Sequence, residues 1–333
     1  MKYRRLGKSG LQVSALSYGS WVTFSNQLDV DRAKEAMVTA YDYGVNFFDN
    51  AEVYALGESE RIMGEVLQET GWPRDSYIVS SKVFWGSVSD AKPTQQGLSR
   101  KHVTEACHQA LRRLQVDYLD LYFCHRPDLQ TPIEETVRAM TDLVRQGKVL
   151  YWGTSEWTAR QLTEAYEVAY RYYLEPPTME QPEYNMFRRE RVEGELEPLF
   201  HQYGLGTTIW SPLASGFLTG KYNEGIPEDS RVNLEGYEWL RKQLESEEGQ
   251  QKIEKVRRLS AIAEELGTNM ARLAIAWTLK NPDVSTVITG ASRTEQIHDN
   301  MRALEVVEQL DEEVMARIEE ILDNKPAGQK SYL

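Results

Sequence analysis

Short runs of β-branched, aromatic and other apolar residues alternate along most of the chain with segments whose apolar residues recur at helical spacing. Eight of the short runs have the length of strands, and they lie at 16–19, 45–49, 77–82, 118–123, 149–154, 177–181, 207–211 and 285–289. In the helical segment after Ser99, one face is formed by Val103, Cys107, Ala110, Leu111 and Leu114. Strands and helices that alternate in this way are typical of a parallel sheet wrapped by helices. Eight repeats predict an α/β fold, the (β/α)8 TIM barrel.

Three segments fall outside this repeat. The opening residues 3–16 alternate about a Gly-containing turn, which predicts an N-terminal hairpin on the floor of the barrel. Residues about 212–252 form a long insertion after the seventh strand, and long loops in compact domains usually have a function. The C-terminal helical pattern, at about 311–322, turns Val314, Ile318 and Ile321 inward. Because no low-complexity linker interrupts the pattern, we expect residues 1–333 to form a single domain.

One helix boundary carries a full set of terminal signals. In the sequence TPIEE, Thr131 is predicted as the N-cap, Pro132 as the first helical residue and Glu134 as the third, which together form a capping box. Gly147 is the predicted stop of the same helix, because glycine readily adopts the left-handed backbone conformation found there.

Composition narrows the class of protein. A net charge of −13 argues against nucleic acid as the main partner, and no run of about 18 apolar residues predicts membrane insertion. The first residues lack the apolar core of a secretory signal, and two cysteines, Cys107 and Cys124, provide no disulfide framework. We therefore expect a cytoplasmic protein. The sequence contains no GxGxxG fingerprint, HExxH motif or paired CxxC spacing, so neither a Rossmann site nor a metal site is predicted.

Four polar side chains follow the ends of predicted strands. Asp49 ends the second strand and Tyr54 lies in the next loop, while Lys82 ends the third strand and His125 follows the fourth. The carboxyl ends of barrel strands share one mouth, where the chemistry of such folds resides. Taken singly, these residues could be an interior Asp–Lys ion pair, a boundary tyrosine and a core histidine. Four together favour a catalytic set.

The four groups suit the delivery of a proton to a carbonyl oxygen. Tyr54 is the candidate general acid, although a free tyrosine has a pKa near 10. We expect the Lys82 ammonium to lower the pKa of this phenol, and Asp49 to pair with Lys82 and fix its position. His125 is expected to hydrogen-bond the substrate carbonyl. The candidate substrate pocket is lined by Trp21, Tyr54, Trp85 and His125.

At these positions the sequence resembles a known family. FFDNAEVY, followed after the next strand by SSK, is similar to the signature of the aldo-keto reductases. Within that superfamily the closest resemblance is to voltage-gated potassium-channel beta subunits, carried from residue 3 to about 328 by stretches that include YRRLGKSGLQVS, TPIEETVRAM, YWGTSEW, WSPLASG and GKYNEGIPEDSR. The resemblance implies an NADPH-dependent reductase of small aldehydes or ketones. Channel-subunit likeness also implies a homotetramer, whereas most aldo-keto reductases are monomers.

The same resemblance implies which residues hold the cofactor. Ser155 and Gln181 match the pair that hydrogen-bonds the nicotinamide amide, and Trp210 matches the residue that lies against the nicotinamide face. Further candidate cofactor contacts are Ser20, Trp21 and Asp49. The loop that lies along the diphosphate is expected to contain Ser211, Pro212, Leu213 and Ser215. Lys221 and Arg231 are expected to supply positive charge to the phosphates. The adenosine site is expected at Gly290, Ser292, Arg293, Gln296 and Asn300, with Arg293 adding charge against the 2′-phosphate of NADPH.

Two residues depart from the pattern of the channel subunits. His125 stands where those subunits usually carry asparagine, and it matches ordinary reductases instead. Glu156 stands where reductases commonly have asparagine and channel subunits arginine, so it is expected to point away from the nicotinamide. Two alternatives to a reductase remain at this point. One is a cofactor-sensing subunit docked on a membrane channel; the other, which leaves Lys82 without a role, is a barrel hydrolase that uses Asp49 as its base.

Overall fold

The computed structural model describes residues 1–21, 24, 29–228, 230–233 and 236–327 of the chain. The strands in these residues are β1 Tyr3–Arg5, β2 Gln12–Ser14, β3 Leu16–Gly19, β4 Phe47–Asp49, β5 Ile78–Val83, β6 Leu119–Cys124, β7 Val149–Thr154, β8 Met179–Glu180, β9 Gly206–Ile209 and β10 Thr286–Thr289. The α-helices are α1 Val30–Asp42, α2 Glu58–Thr70, α3 Arg100–Leu114, α4 Ile133–Arg145, α5 Ala159–Arg171, α6 Glu197–Tyr203, α7 Glu238–Glu245, α8 Glu247–Glu265, α9 Met270–Lys280, α10 Thr294–Met301, α11 Ala303–Val306 and α12 Glu312–Leu322.

Strands β3 to β10 close into a barrel of eight parallel strands, in the order β10-β3-β4-β5-β6-β7-β8-β9. Each of the eight predicted strands overlaps one of them, so the predicted (β/α)8 TIM barrel is confirmed. β5 and β6 pair with Lys82 opposite Phe123, and all six residues of each strand are buried. The polar residues of β5 therefore lie inside the protein, where they need hydrogen-bond partners.

The predicted hairpin at the floor of the barrel is also confirmed. β1 and β2 are antiparallel, and Leu6 and Val13 pack into one cluster with residues that begin barrel strands, among them Phe47, Ile78 and Met179. Gly7, at the turn side of β1, has a φ of +56°, and a Cβ there would lie 2.2 Å from the carbonyl oxygen of Gly204. Only glycine fits this close approach of two backbones.

The predicted capping box at the start of α4 is wrong. Pro132 is the residue before the helix, and no side chain caps the first turn. The hydroxyl of Thr131 donates instead to Asp128 Oδ2 at 2.7 Å. Glu134 forms an ion pair with Arg138, four residues further along the same helix. The Thr131 hydroxyl is thus taken up by Asp128, three residues earlier in the chain, instead of capping the helix. The predicted end of the helix is confirmed, since Gly147 follows it with a φ of +67°.

The chain divides into two compact units. The first consists of Met1–Pro182, Glu195–Trp210 and Asp283–His298, and it contains the hairpin and every barrel strand. The buried face predicted after Ser99 is confirmed there on α3. The proposal that residues 1–333 act as a single domain remains a prediction.

The second unit consists of Glu183–Gly194, Ser211–Pro282 and the chain from Asp299 onward. It contains the predicted insertion at 212–252, whose described part forms short 3-10 turns, α7 and the start of α8. Its apolar cluster is formed by Phe217, Tyr222, Val232, Leu240, Leu244 and Ile253. The predicted C-terminal helix is confirmed as α12, with Val314, Ile318 and Ile321 buried.

A helix that crosses a lipid bilayer needs about 20 consecutive, mostly apolar residues. Across the residues that the structure describes, none of the helices is both long enough and apolar enough to cross a membrane.

Candidate active site

A buried ion pair lies at the carboxyl ends of β4 and β5. Lys82 Nζ is 2.6 Å from Asp49 Oδ2, and the two side chains are 0% and 4% exposed. Lys82 Nζ also donates to the backbone carbonyl oxygen of Asn50 at 2.7 Å. Burial lowers the pKa of Lys82, while the charge of Asp49 opposes that shift. The pairing that the sequence predicted between Asp49 and Lys82 is therefore present.

Asp49 is held by more than its ion pair. Its other carboxylate oxygen, Oδ1, accepts hydrogen bonds from Ser80 Oγ at 2.9 Å and from Gln181 Nε2 at 3.2 Å. Donors from β5 and from the residue that follows β8 thus fix the plane of the carboxylate. A buried charge with several hydrogen-bond donors is far less costly than an isolated one.

Tyr54 meets the same ammonium from the loop after β4. Lys82 Nζ lies 3.4 Å from the Tyr54 hydroxyl and 5.0 Å from the centroid of its ring. Tyr54 opens a short 3-10 turn in which Ala55 and Leu56 have φ angles of +47° and +54°. Such left-handed backbone is uncommon outside glycine and persists only where its surroundings enforce it. The turn therefore sets the direction from which the phenol enters the site.

The expectation that Lys82 lowers the pKa of Tyr54 is wrong. The pKa of the phenol is raised well above its usual value, first by burial and then by the charge of Asp49, while Arg126 opposes the shift. The physical reason is that a phenolate loses its hydration when it is buried, and the nearby Asp49 carboxylate disfavours a second negative charge. Tyr54 is consequently protonated at neutral pH, which is the form that a proton donor requires.

His125 stands directly after β6 and faces two aromatic rings. Its imidazole contacts the ring of Tyr54 edge to face, with centroids 5.8 Å apart, and the ring of Trp85 at 4.8 Å. Burial, followed by the charges of Lys82 and Arg126, lowers the pKa of His125 well below its usual value. Nδ1 of the ring is buried, and no described residue hydrogen-bonds it. The imidazole is therefore neutral at neutral pH.

The structure thus brings together all four residues of the predicted catalytic set. The arrangement offers a protonated phenol, a neutral imidazole and a lysine anchored by a carboxylate. Among the residues that the structure describes, no cluster of His, Cys, Asp or Glu is suited to a metal ion. The arrangement can deliver a proton to an oxygen on which negative charge develops.

The candidate substrate pocket is marked by two exposed tryptophans. Trp85 is 40% exposed and packs against His125, whereas Trp21 is 49% exposed and meets the Trp210 ring edge to face at 6.4 Å. Large aromatic side chains that remain exposed beside polar catalytic groups are typical of a ligand-binding surface.

Glu52 and Arg126 also belong to the candidate site, although the sequence patterns did not predict them. Glu52 Oε1 accepts from the backbone N–H groups of Phe84 at 2.8 Å and Gly86 at 2.9 Å, so it holds the loop that carries Trp85. Arg126 lies 5.3 Å from the Trp85 ring and donates to Ser155 Oγ at 3.3 Å. The available signal was position: Glu52 lies inside FFDNAEVY, and Arg126 directly follows His125.

The predicted cofactor residues of the first unit form two groups. At the barrel mouth, Ser155 Oγ donates to the backbone oxygen of Gln181 at 2.8 Å, and Ser20 Oγ donates to the backbone oxygen of Asp49 at 3.1 Å. Gln181 Nε2 donates to Asp49 Oδ1 and to Thr208 Oγ1, each at 3.2 Å. The amide oxygen of a glutamine can accept a hydrogen bond from a carboxamide N–H.

The second group lies between β10 and α10. Gln296 Oε1 accepts from the backbone N–H of Ser292 at 2.8 Å, which ties the loop after Gly290 to the first turn of the helix. Arg293, beside Ser292, is exposed. The N-terminus of α10 and this guanidinium form an electropositive surface that fits a phosphate.

The predicted cofactor residues of the second unit centre on a strained loop. Ser211 and Ser215 have φ angles of +58° and +56°, as does Ala214 at +46°, and Gly216 follows at +99°. Left-handed residues in succession can form a concave array of backbone N–H groups that suits an anion such as a diphosphate. Pro212 and Leu213 complete this loop.

The remaining candidates of that unit are more scattered. Lys221 Nζ lies 4.9 Å from the ring of Tyr222, and Asn300 is buried. Arg231 begins a 3-10 turn, and its side chain lies outside the part of the chain that the structure describes. The cofactor roles of these three residues stay predictions.

An eight-stranded parallel barrel with this tyrosine, lysine, aspartate and histidine at its mouth defines a class of protein. The chain belongs to the aldo/keto reductase family, whose model matches residues 15–323. It is also similar to two proteins named "Probable voltage-gated potassium channel subunit beta", one from Arabidopsis thaliana and one from Oryza sativa subsp. japonica. Each is 53% identical over 333 residues, which is 100% of both chains compared. The resemblance inferred from the motifs is therefore confirmed.

Proposed function

We propose that this protein is an NADPH-dependent reductase that converts small aldehydes or ketones to alcohols. The observation that carries the proposal is the position of Lys82, whose ammonium lies 2.6 Å from Asp49 and 3.4 Å from the Tyr54 hydroxyl. NADPH, when bound, would supply a hydride to the carbonyl carbon. Every other requirement of the reaction falls on the side chains of this chain.

Tyr54 donates its hydroxyl proton to the carbonyl oxygen as negative charge develops there. The raised pKa keeps the phenol protonated beforehand, and Lys82 stabilises the phenolate that remains afterwards. Asp49 holds Lys82 in place. Since Lys82, Asp49 and Tyr54 are fixed before substrate arrives, little reorganisation accompanies proton transfer.

The neutral imidazole of His125 orients the substrate. A neutral ring has one N–H, which can donate to the carbonyl oxygen, and it adds no positive charge beside Lys82. Trp85, packed on His125, gives the carbonyl substituent an apolar wall. Trp21 is proposed to form the second wall.

The proposed cofactor is NADPH, held by the residues implied by the family. Ser155, Gln181 and Trp210 would hold the nicotinamide, with Ser20 and Trp21 beside them. The strained loop that begins at Ser211 would meet the diphosphate together with Lys221 and Arg231. Preference for NADPH over NADH is assigned to Arg293, whose guanidinium is expected to pair with the 2′-phosphate.

Binding and turnover by the isolated protein test this function. NADPH and NADH titrations followed by cofactor fluorescence should give at least tenfold tighter binding of NADPH, because a charge-assisted contact contributes about 1.5–3 kcal/mol. Arg293→Ala should remove most of that preference, whereas Arg302→Ala, a control at another exposed arginine, should not. Equal affinity for the two cofactors would contradict the assignment, and failure to oxidise NADPH with any small aldehyde would contradict the function.

A second candidate function is supported by the names of the two relatives. The protein would then be a cofactor-sensing subunit with slow reductase activity, which associates in the cytoplasm with a potassium channel and forms a homotetramer. Co-purification of a membrane channel with the tagged protein would favour this function. Sedimentation of the purified protein as a monomer would argue against the tetramer, while rapid turnover of aldehydes would favour the reductase.

A further inference from the structure

Glu156 has a strained backbone at the edge of the proposed cofactor site. It follows Ser155 at the carboxyl end of β7 and has a φ of +60°. A glutamate rarely adopts this left-handed conformation, because its Cβ crowds the neighbouring carbonyl oxygen. A residue kept in such a conformation needs a contact that compensates for it.

The compensating contact is a hydrogen bond to the predicted nicotinamide-stacking residue. Trp210 Nε1 donates to Glu156 Oε1 at 3.1 Å. The backbone N–H of Trp210 is bound as well, to the carbonyl oxygen of Pro182 at 3.1 Å. Trp21 lies edge-on to the same indole, with an angle of 82° between the ring planes. The backbone of Trp210 is therefore held by Pro182, its indole N–H by Glu156, and one side of its ring by Trp21.

Among these three contacts, the hydrogen bond to Glu156 is the one that offers the indole ring a directional acceptor. It therefore determines how the ring is rotated about its side-chain bonds. The backbone hydrogen bond leaves that rotation free, and an edge-to-face contact permits a wide range of angles. A hydrogen bond to a carboxylate is directional and stronger than one between two neutral groups. Without it, the ring could turn away from the plane in which a flat ligand stacks.

We propose that Glu156 is a positioning residue, which orients the indole of Trp210 so that it stacks on the nicotinamide ring. This inference rests on the proposed function, since it requires a bound nicotinamide cofactor. It assigns a role to a residue that was expected to point away from the site. The role lies in cofactor binding, and Glu156 itself takes no part in proton transfer.

A double-mutant cycle on NADPH binding tests the proposal. Glu156→Ala removes the acceptor, and Trp210→Phe removes the N–H donor while keeping an aromatic ring. Each change should weaken NADPH binding about threefold to tenfold, in line with the net contribution of one ordinary hydrogen bond. The double variant should bind NADPH with about the same affinity as the single variant that binds it less tightly, because both changes remove the same interaction. Losses that simply multiply would overturn the proposal.

Two further variants separate orientation from charge and from general damage. Glu156→Gln keeps an oxygen acceptor and should bind NADPH within about twofold of the unaltered protein. Glu167→Ala removes an exposed glutamate on α5 and should have no effect. If Glu156→Ala fails to fold, Glu156→Gly replaces it, because glycine adopts the left-handed conformation without strain. Equal NADPH affinity in Glu156→Ala or Glu156→Gly and in Glu167→Ala would overturn the inference.

A spectroscopic signature adds a measurement that does not depend on the cofactor. Near-ultraviolet circular dichroism reports the asymmetric environment of tryptophan rings. Glu156→Ala should change this spectrum in the band that Trp210→Phe removes, and Glu156→Gln should restore it. An unchanged spectrum in Glu156→Ala would contradict the orienting role. If the unaltered protein binds neither NADPH nor NADH, the proposed function fails first, and this inference fails with it.

Discussion

Every N–H of the Lys82 ammonium has an oxygen neighbour at the site: a carboxylate, a backbone carbonyl and the Tyr54 hydroxyl. A buried ammonium arranged in this way remains charged although burial lowers its pKa. The same burial keeps Tyr54 protonated and His125 neutral. The charge state of each residue thus follows from where its side chain is buried and from what it faces.

The pH dependence of hydride transfer should reflect these charge states. The pKa of His125 is lowered and that of Tyr54 is raised, so neither group titrates between about pH 6.5 and pH 9. The single-turnover rate of NADPH oxidation should therefore stay constant within about twofold across that range. His125→Asn should slow the rate roughly tenfold without introducing any pH dependence, because asparagine can still donate a hydrogen bond. An inflection near pH 7 in the unaltered protein would contradict the assigned charge states.

At the scale of the elements, the carboxyl ends of the barrel strands determine where the candidate catalytic residues lie. The barrel was predictable because each strand is a short apolar or β-branched run followed by a polar residue or a turn. β8 was the weakest case, since only Met179 and Glu180 pair as strand within the run predicted at 177–181. The predicted capping box is absent because the Thr131 hydroxyl donates to the Asp128 carboxylate, three residues before it, and not to the first turn of the helix.

The roles of Glu52, Arg126 and Glu156 could not be predicted from local sequence patterns. Each acts through a residue far away in sequence, and Glu156 meets Trp210 only after β7 and β9 have been placed in the barrel. Sequence spacing reveals which residues share an element, but the direction of a loop side chain depends on the assembled fold. The raised pKa of Tyr54 likewise depends on the depth of the pocket, which no motif encodes.

The loop after β5 should depend on Glu52. Glu52→Ala leaves the N–H groups of Phe84 and Gly86 without their acceptor, so the loop that carries Trp85 should loosen. We expect kcat/KM for an aromatic aldehyde to fall about tenfold while NADPH affinity stays within twofold, because the loosened loop carries one wall of the proposed substrate pocket. Glu52→Gln keeps an oxygen acceptor and should retain most of the activity. Equal losses of NADPH and aldehyde binding in Glu52→Ala would contradict this role.

The insertion of the second unit is predicted to act on cofactor release. If Lys221 meets the phosphates, Lys221→Met should speed the dissociation of NADPH several-fold, because one charge-assisted contact is lost. Stopped-flow displacement of bound NADPH measures this rate directly. Lys280→Met, a change at an exposed lysine at the end of α9, serves as the matched control. The same dissociation rate in both variants would remove Lys221 from the cofactor site.

At the scale of the whole molecule, the buried site makes folding sensitive to acid. The pKa of His125 is lowered in the folded protein, so below about pH 6.5 the unfolded chain takes up a proton that the folded protein does not. Stability is therefore complete above this pH and is lost as the pH falls through it. From pH 7.5 to pH 5.5 this one group should reduce the free energy of unfolding by about 1.4 kcal/mol.

Urea unfolding of the unaltered protein and of His125→Asn at the two pH values measures this contribution. The difference in the free energy of unfolding between pH 7.5 and pH 5.5 should be smaller in His125→Asn by about 1.4 kcal/mol, because asparagine does not titrate. The same difference in both proteins would show that His125 does not resist protonation when it is folded.

In the proposed mechanism Tyr54 delivers the proton in carbonyl reduction, and single-turnover kinetics report on this step. Tyr54→Phe keeps the ring that packs against His125 and removes only the hydroxyl. With an aromatic aldehyde, stopped-flow oxidation of bound NADPH should slow by roughly 10²–10⁴-fold, while NADPH affinity is unchanged. Tyr170→Phe, at an exposed tyrosine on α5, should react at the unaltered rate. Hydride transfer in Tyr54→Phe as fast as in Tyr170→Phe would contradict the proposed mechanism.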